Sequence, residues 1–137
     1  MKTKTEKVSL YFLIFGALVW LSPAVVAQNQ FTRDYHKKYT CSKQTNFKLY
    51  NKYGDIEIRD WQKNEVDITA EIILKDVSEQ KANQMFELVD INFSQEGNSI
   101  QVETDYSEAF FKMANKPFGG DNRFKVNYVV YMPAYII

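Results

Sequence analysis

The sequence is poor in the residues that build disulfide scaffolds, metal centres and strongly charged binding surfaces. Among 137 residues there are one cysteine and one histidine, and 17 basic side chains balance 17 acidic ones. A single cysteine excludes an internal disulfide framework, and with one histidine it leaves no zinc-binding constellation. Because the net charge is zero, there is no electrostatic reason to expect binding to nucleic acid or to an anionic membrane surface.

The residues that are present fit one globular domain. Hydrophobic residues make up 45% of the chain and charged residues 25%, which is the composition of a folded protein rather than a disordered one. The length is also that of a single domain.

The first 27 residues have the pattern of a secretory signal peptide. Three lysines form a basic start, and an apolar run of about 14 residues follows from Val8 to Leu21. This run is shorter than the roughly 20 residues that span a bilayer. We therefore expect cleavage after Ala27 and export of residues 28–137 to the periplasm, the outer envelope or the extracellular space. An uncleaved membrane anchor is the alternative.

Alternating apolar residues predict a mainly β (α+β) fold for the mature domain, either a β-sheet or an incipient β-solenoid. The clearest alternation runs from Val66 to Ile72, where every second residue is apolar. Shorter patterns predict strands near residues 35–40, 47–50, 56–59, 91–93 and 100–102. The apolar positions change from odd to even numbers across Tyr53 and Gly54, so we expect a turn or a bulge there.

One amphipathic helix is predicted at about residues 77–89. Its apolar stripe consists of Ala82, Met85, Phe86 and Val89, which share one helical face. Asp76 or Ser78 is in position to cap its N-terminus. Because predicted strands flank the helix, we expect a crossover connection that makes these two strands parallel.

A hairpin and a long aromatic loop are expected after the helix. A two-residue turn at Gly97 and Asn98 would place Phe93 opposite Val102 on one face. Residues 105–123 contain several aromatic side chains, and we expect this segment to be a loop whose aromatic residues pack onto the core.

The last predicted strand, from Phe124 to Met132, has the pattern of a poorly protected sheet edge. One of its faces is apolar and the other is partly apolar, and only Lys125 and Asn127 discourage pairing. Natural sheets protect free edges with charges, prolines or bulges. We therefore expect another strand to pair here, from further C-terminal sequence or from a partner chain, by β-augmentation or self-association. The predicted interaction surface comprises Phe124, Val126, Val129 and Tyr131, together with Tyr50 and Trp61.

The segment Asn51–Ile58, followed by Trp61 and by the alternation of Val66 and Ile68, resembles the N-terminal part of an adhesin-like family. The family comprises secreted β-strand-repeat envelope proteins of Gram-negative bacteria, and the resemblance spans about residues 35–133. It implies a β-solenoid or stacked-sheet domain with no catalytic residues to carry over. Members of that family continue with further strands after the closing strand, so we expect this chain to be a shortened or truncated member.

The acidic residues and the single histidine fit ordinary surface roles. The outward carboxylates are Asp55, Glu57, Glu65, Asp67 and Glu71. Since Ca²⁺ needs six to eight converging oxygens, we expect these groups to be solvated charges, relieved by Arg59 and Lys48. His36 has no arrangement of nucleophile and orienting acid in the sequence around it, so we expect a surface histidine.

The cysteine and the exposed aromatic residues each admit two interpretations. Cys41 is expected to be a buried or inert thiol, and intermolecular pairing is the alternative. Tyr50, Tyr53 and Trp61 either pack across strands or form a strip that binds a sugar or a peptide.

Taken together, these patterns predict an exported, non-enzymatic β-rich envelope protein with an adhesion-like or surface-structural role. We expect no cofactor, no nucleic acid partner, and membrane contact only through an uncleaved signal segment. The first alternative is a periplasmic sensor or partner-binding module. A hydrolase would need a catalytic constellation that the sequence does not show.

Overall fold

The computed structural model describes residues 29–114 and 123–136, and this part of the protein is mainly β. Strands account for 59% of it and helices for 15%, which confirms the predicted fold class. The strands are β1 (Gln30–Thr40), β2 (Asn46–Tyr50), β3 (Ile56–Trp61), β4 (Glu65–Lys75), β5 (Val89–Glu96), β6 (Ser99–Tyr106) and β7 (Phe124–Pro133). The helices are α1 (Glu79–Phe86) and α2 (Glu108–Ala114).

The strands form two stacked sheets around one core. The large sheet has the order β1-β4-β7-β3, and the small sheet has the order β2-β6-β5. Buried residues of both sheets belong to one hydrophobic cluster. The hydroxyl groups of Tyr128 in β7 and Thr104 in β6 lie 2.6 Å apart and join the sheets by a hydrogen bond. The described residues thus form a sheet structure and do not show a coil of repeated turns.

β4 and β7 carry most of the large sheet's contribution to the core. Their buried hydrophobic residues are Val66, Ile68, Ala70, Ile72, Ile73, Leu74, Val126, Tyr128, Val130 and Met132. The antiparallel register places Ile68 opposite Val130 and Ala70 opposite Tyr128, so the alternating side chains of both strands point to the same inner face. Each buried aliphatic side chain stabilises the fold by about 1.5–3 kcal/mol.

β7 is an interior strand, so the prediction that it forms a free edge is wrong. It pairs antiparallel with β4 and parallel with β3. It lacks edge protection because it has a neighbour on each side. Its second apolar face, which includes Val129 and Tyr131, lies on the outer surface of the large sheet. The edges of that sheet are β1 and β3.

α1 is shorter than predicted and connects the two sheets. The Ser78 hydroxyl caps it by accepting a hydrogen bond from the backbone N–H of Lys81 at 3.2 Å. The helix buries Ala82, Met85 and Phe86 of the predicted stripe, whereas Val89, the fourth residue of that stripe, is the first residue of β5. Because it leads from β4 in the large sheet to β5 in the small sheet, its flanking strands are not paired, and the predicted parallel crossover is wrong.

After α1, the predicted hairpin is confirmed, but part of the predicted aromatic loop is a helix. β5 and β6 form the predicted hairpin with Phe93 opposite Val102. The predicted loop contains a second helix, α2, which buries Phe110 completely. The aromatic residues of this segment therefore pack onto the core as expected, although they do so partly from a helix.

The expected break at Tyr53 and Gly54 is the place where the chain leaves the small sheet for the large one. Gly54 has a φ of +126°, and a Cβ atom there would lie 1.9 Å from the carbonyl oxygen of Val126. Only glycine allows the connection to pass so close to β7 in this conformation. The passage brings the end of β2 and the start of β3 to one flank of the molecule, where Leu49, Tyr50 and Ile56 line the same cleft.

The predicted signal peptide, residues 1–27, lies outside the described residues. Within the two described ranges, neither helix has the length and apolar character needed to cross a membrane.

Candidate interaction surface

Phe124 and Val126, two of the residues predicted for the interaction surface, face the interior. Val126 is 1% exposed, and its backbone carbonyl accepts a hydrogen bond from the Asn51 side chain at 2.8 Å. The ring of Phe124 is half-buried, 5.3 Å from the ring of Tyr53 and 4.9 Å from that of Phe110. Both side chains contact the protein's own core and stabilise the fold. The prediction that they belong to an interaction surface is therefore wrong.

Phe124 belongs to an aromatic cluster that also contains Tyr53, Tyr106, Phe110 and Phe111. Tyr53 and Tyr106 meet edge to face with ring centroids 5.5 Å apart, a favourable arrangement for aromatic pairs. Burial raises the pKa of the Tyr106 hydroxyl, and the neighbouring Tyr128 and Tyr53 add to the shift. Tyr53 therefore lies in a different environment from Tyr50 and Trp61, and the three do not form one exposed strip.

Tyr131 and Trp61 lie next to each other on the outer face of the large sheet. Their rings are 5.3 Å apart, and the Trp61 indole donates a hydrogen bond to the Glu65 carbonyl at 2.8 Å. Two cations flank them: Arg59 lies 5.4 Å from the Tyr131 ring and Lys63 lies 4.9 Å from the Trp61 ring. This arrangement agrees with cross-strand packing, one of the two interpretations of Trp61.

Arg59 is engaged on both sides within this patch. It donates hydrogen bonds to the Tyr131 hydroxyl at 2.6 Å and to the Glu57 carboxylate at 2.7 Å. The hydrogen bond to Glu57, followed by that to Tyr131, raises the pKa of Arg59, and Arg59 in turn lowers the pKa of Glu57. Both side chains remain about half exposed, at 47% and 55%.

The free edges of β2 and β3 together form what we call the open flank. Among the described residues, β2 pairs with β6 alone and β3 pairs with β7 alone. An open cleft of about 410 Å³ lies between the end of β2 and the start of β3. Its lining residues are Leu49, Tyr50, Asn51, Lys52, Ile56, Glu103 and Thr104. Tyr50, which is 52% exposed, is the predicted surface residue that lies here.

β3 exposes two isoleucines on the side of the sheet that faces the core. The parallel register places Ile56 beside Tyr128 and Ile58 beside Val130. Paired residues share one face of a sheet, and both partners from β7 are buried. Ile56 and Ile58 are nevertheless 44% and 47% exposed, because the small sheet leaves this strand uncovered. The hydrophobic core therefore reaches the surface at the open flank.

The backbone of β3 offers hydrogen-bonding groups along the same edge. Tyr128 N–H donates to the Asp55 carbonyl at 2.8 Å, and in a parallel ladder alternate residues bond to the same neighbour. Ile56, Ile58 and Asp60 therefore direct their N–H and C=O groups away from β7. A strand edge with such groups is a template for the addition of another strand.

The sequence did not reveal this site. The alternation of Ile56 and Ile58 with charged residues is also typical of an ordinary half-buried strand. A usable signal was the density of charge in β3, where Glu57, Arg59 and Asp60 follow closely, because charged side chains commonly mark the edges of natural sheets.

The candidate catalytic and metal-binding residues lie apart from the open flank or are paired with cations. Asp67 contacts His36 at 2.6 Å and Lys38 at 3.6 Å on the outer face of the large sheet. Asp55 lies 3.9 Å from Lys125. Within the described ranges, no group of three or more histidine, cysteine or acidic residues could hold a metal ion.

Cys41 is buried, and its sulfur lies 3.6 Å from the hydroxyl of Tyr135. That hydroxyl donates a hydrogen bond to the Asn64 side chain at 2.9 Å. The thiol thus sits in a structural contact between the end of β1, the turn before β4 and the segment after β7.

Comparison of the chain with family models, with curated proteins and with solved structures found no match in any of the three. The resemblance to the adhesin-like family therefore stays a prediction.

Proposed function

We propose that the protein is an exported, non-enzymatic envelope module that binds a protein partner by strand addition at the open flank, in an adhesion-like or surface-structural role. One observation carries this proposal: β3 presents Ile56 and Ile58 beside a backbone edge that has no strand neighbour among the described residues. Covering an isoleucine that is nearly half exposed adds favourable burial. The added strand also satisfies backbone groups.

The chemistry around the open flank supports binding rather than catalysis. Strand addition needs apolar contacts and backbone hydrogen bonds, and both are supplied by β3. The two charged side chains that flank Ile58 in the chain, Glu57 and Arg59, are bonded to each other. The signal-peptide pattern of residues 1–27 supports export, and the resemblance to the adhesin-like family supports a location in the envelope.

The alternative of a periplasmic sensor is favoured by the cleft beside Tyr50. Its volume of about 410 Å³ lies within the usual range of small-molecule sites. A sensor would lose its response when Tyr50→Ala widens the cleft and would tolerate a charge on β3. A protein that binds by strand addition would lose binding when β3 carries an added charge and would tolerate Tyr50→Ala.

The proposal is tested by sedimentation of the purified exported protein with isolated Gram-negative cell envelopes. Ile58→Lys places a charge on the inner face of β3, and we expect it to reduce the bound fraction at least about tenfold. Thr32→Lys is the matched control, because Thr32 is exposed on β1, the opposite edge of the same sheet. Equal binding by both variants and the unmodified protein would contradict the proposal.

A further inference from the structure

We infer that the partner at the open flank is a second copy of this chain, with the two β3 strands paired antiparallel about a two-fold axis at Ile58. This inference rests on the proposed function, because it uses the same edge and names its occupant. Two-fold contacts are the commonest way in which soluble chains form closed oligomers. The order of the charged residues along β3 favours this pairing over the neighbouring registers.

The register centred on Ile58 pairs opposite charges. In two antiparallel strands related by a two-fold axis, the residue on the axis faces its own copy. Residues at equal distances on either side of it face each other. Glu57 of each copy then lies opposite Arg59 of the other, on the outer face of the combined sheet. Opposite charges placed directly across an antiparallel pair are stabilising.

The neighbouring registers bring like charges together. An axis at Glu57 places that carboxylate opposite its own copy, and an axis at Arg59 does the same for the guanidinium group. An axis at Ile56 places Glu57 opposite Asp55. Because like charges directly opposite each other are destabilising, the sequence of β3 favours the axis at Ile58.

The backbone and the inner face of β3 agree with this register. Ile58 directs its N–H and C=O groups to the free edge, so the two copies can exchange two hydrogen bonds at the axis. On the inner face Ile58 meets its own copy. Ile56 lies opposite Asp60 of the second copy and diagonally beside that copy's Ile58, within reach of a long side chain. The two exposed isoleucines of each copy thereby form one apolar cluster at the axis, with Asp60 at each end of it.

The outer-face charges can rearrange for this exchange, because the side chains of Arg59 and Glu57 are 47% and 55% exposed, although Arg59 also bonds to the Tyr131 hydroxyl. Glu57 and Arg59 now bond to each other within one strand at 2.7 Å. Their Cβ atoms would approach those of the second copy closely, because residues 57 and 59 occupy positions that do not form hydrogen bonds across the new pair. The intramolecular ion pair then becomes a network of four charges at the centre of the interface.

Charge exchange tests the inference through the oligomeric state, measured by light scattering and analytical ultracentrifugation. Glu57→Arg alone places two arginines opposite each other, and Arg59→Glu alone places two glutamates opposite each other. We expect each variant to raise the dimer dissociation constant about tenfold or more. A mixture of the two variants, and the double variant carrying both substitutions, should restore the dimer. Thr32→Lys should leave it unchanged.

Cysteine cross-linking tests the register. Residues facing each other at a hydrogen-bonded position have Cα atoms about 5.5 Å apart, a separation that a disulfide can span. Ile58→Cys should therefore form an intermolecular disulfide on mild oxidation. Glu57→Cys and Ile56→Cys should not, since each lies away from the axis.

Three outcomes would overturn the inference: a monomeric unmodified protein at all concentrations tested, no dimer in the mixture of charge variants, or cross-linking that is stronger at residue 57 than at residue 58. If the protein stays monomeric but binds cell envelopes, and Ile58→Lys loses that binding, only the identification of the partner as a second copy is overturned. The proposed function would then stand with a different partner.

Discussion

Among single residues, Gly54 determines how closely the chain can pass from one sheet to the other. A Cβ atom at this position would meet the Val126 carbonyl oxygen at 1.9 Å, whereas one at Gly97 would meet nothing within 4 Å. Both glycines have positive φ, but the +126° of Gly54 lies outside the left-handed helical region that includes the +56° of Gly97. A side chain at Gly54 therefore adds greater backbone strain to the steric overlap. We expect Gly54→Ala to cost about 3 kcal/mol or more and Gly97→Ala about 1 kcal/mol in urea-induced unfolding. Equal losses would show that the close approach to β7 does not contribute.

Two buried tyrosines differ in the partners of their hydroxyl groups. Tyr128 bonds to Thr104 at 2.6 Å, and the buried hydroxyl of Tyr106 has no hydrogen-bond partner among the described residues. Removing a bonded hydroxyl costs about 1 kcal/mol, and removing an unsatisfied one is neutral or stabilising. Tyr128→Phe should therefore lower the free energy of unfolding, while Tyr106→Phe should leave it unchanged or raise it. The reverse order in thermal or urea unfolding would contradict this assignment.

The same two tyrosines predict a loss of stability at alkaline pH. Burial raises the pKa of both hydroxyl groups in the folded state, whereas an unfolded tyrosine ionises near pH 10. Above that pH the unfolded state releases protons that the folded state retains, so the free energy of unfolding falls as the pH rises. Below about pH 10 the contribution is fully present. The free energy of unfolding, measured from pH 8 to pH 11, should fall less steeply in Tyr106→Phe. An unchanged slope would exclude this cause.

At the scale of elements, α1 is held by its buried stripe. Phe86 is 4% exposed, and the guanidinium group of Arg33 in β1 lies 4.7 Å from the centre of its ring. Phe86→Ala should cost about 3–5 kcal/mol because it leaves a cavity between the helix and the large sheet. Gln84→Ala, on the exposed side of the helix, should change stability by less than about 0.5 kcal/mol. Urea unfolding of both variants measures these changes, and two small effects would mean that the helix is not docked.

The hairpin of β5 and β6 could be predicted from the sequence because all of its determinants are local. Gly97 and Asn98 fix a two-residue turn, and the turn fixes the pairing of Phe93 with Val102. The position of β7 could not be obtained in this way. Its neighbours, β4 and β3, end 49 and 63 residues before β7 begins, and no local pattern indicates which strands will pair. An apolar strand with a single charged residue, Lys125, indicates burial. Two neighbouring strands of the same chain provide that burial as well as an added partner strand would.

The open flank also could not be predicted from local sequence patterns, because it depends on how the two sheets pack. The alternation in β3 correctly predicts that Ile56 and Ile58 share one face. Their exposure depends on how far the small sheet extends over the large one, which is a property of the packed pair of sheets. The predicted surface consequently identified Tyr50, which lines the cleft, and missed the two isoleucines of β3.

At the scale of the whole molecule, the unequal sheets explain why one flank is left open. The large sheet has four strands and the small sheet has three. The small sheet therefore does not cover β3, one of the edge strands of the large sheet. Pairing of β3 with a second copy would join the two large sheets into one continuous sheet and would remove its most exposed edge. An uncovered edge strand can pair with other chains and promote aggregation. Here the same edge would instead bind one specific partner.

Export is the condition for any role in the envelope, and the sequence makes a definite prediction about it. Signal peptidases require small residues immediately before the cut, and Ala27 occupies that position. Protein recovered from the periplasm should have an intact mass that begins at Gln28, while Ala27→Arg should keep the full precursor in the membrane fraction. Gln30→Arg is the control, because it adds the same charge three residues later, at an exposed position at the start of β1, and should be processed normally. Recovery of the unmodified chain with Met1 in the membrane fraction would instead establish residues 1–27 as an anchor, and the open flank would then act at the membrane surface.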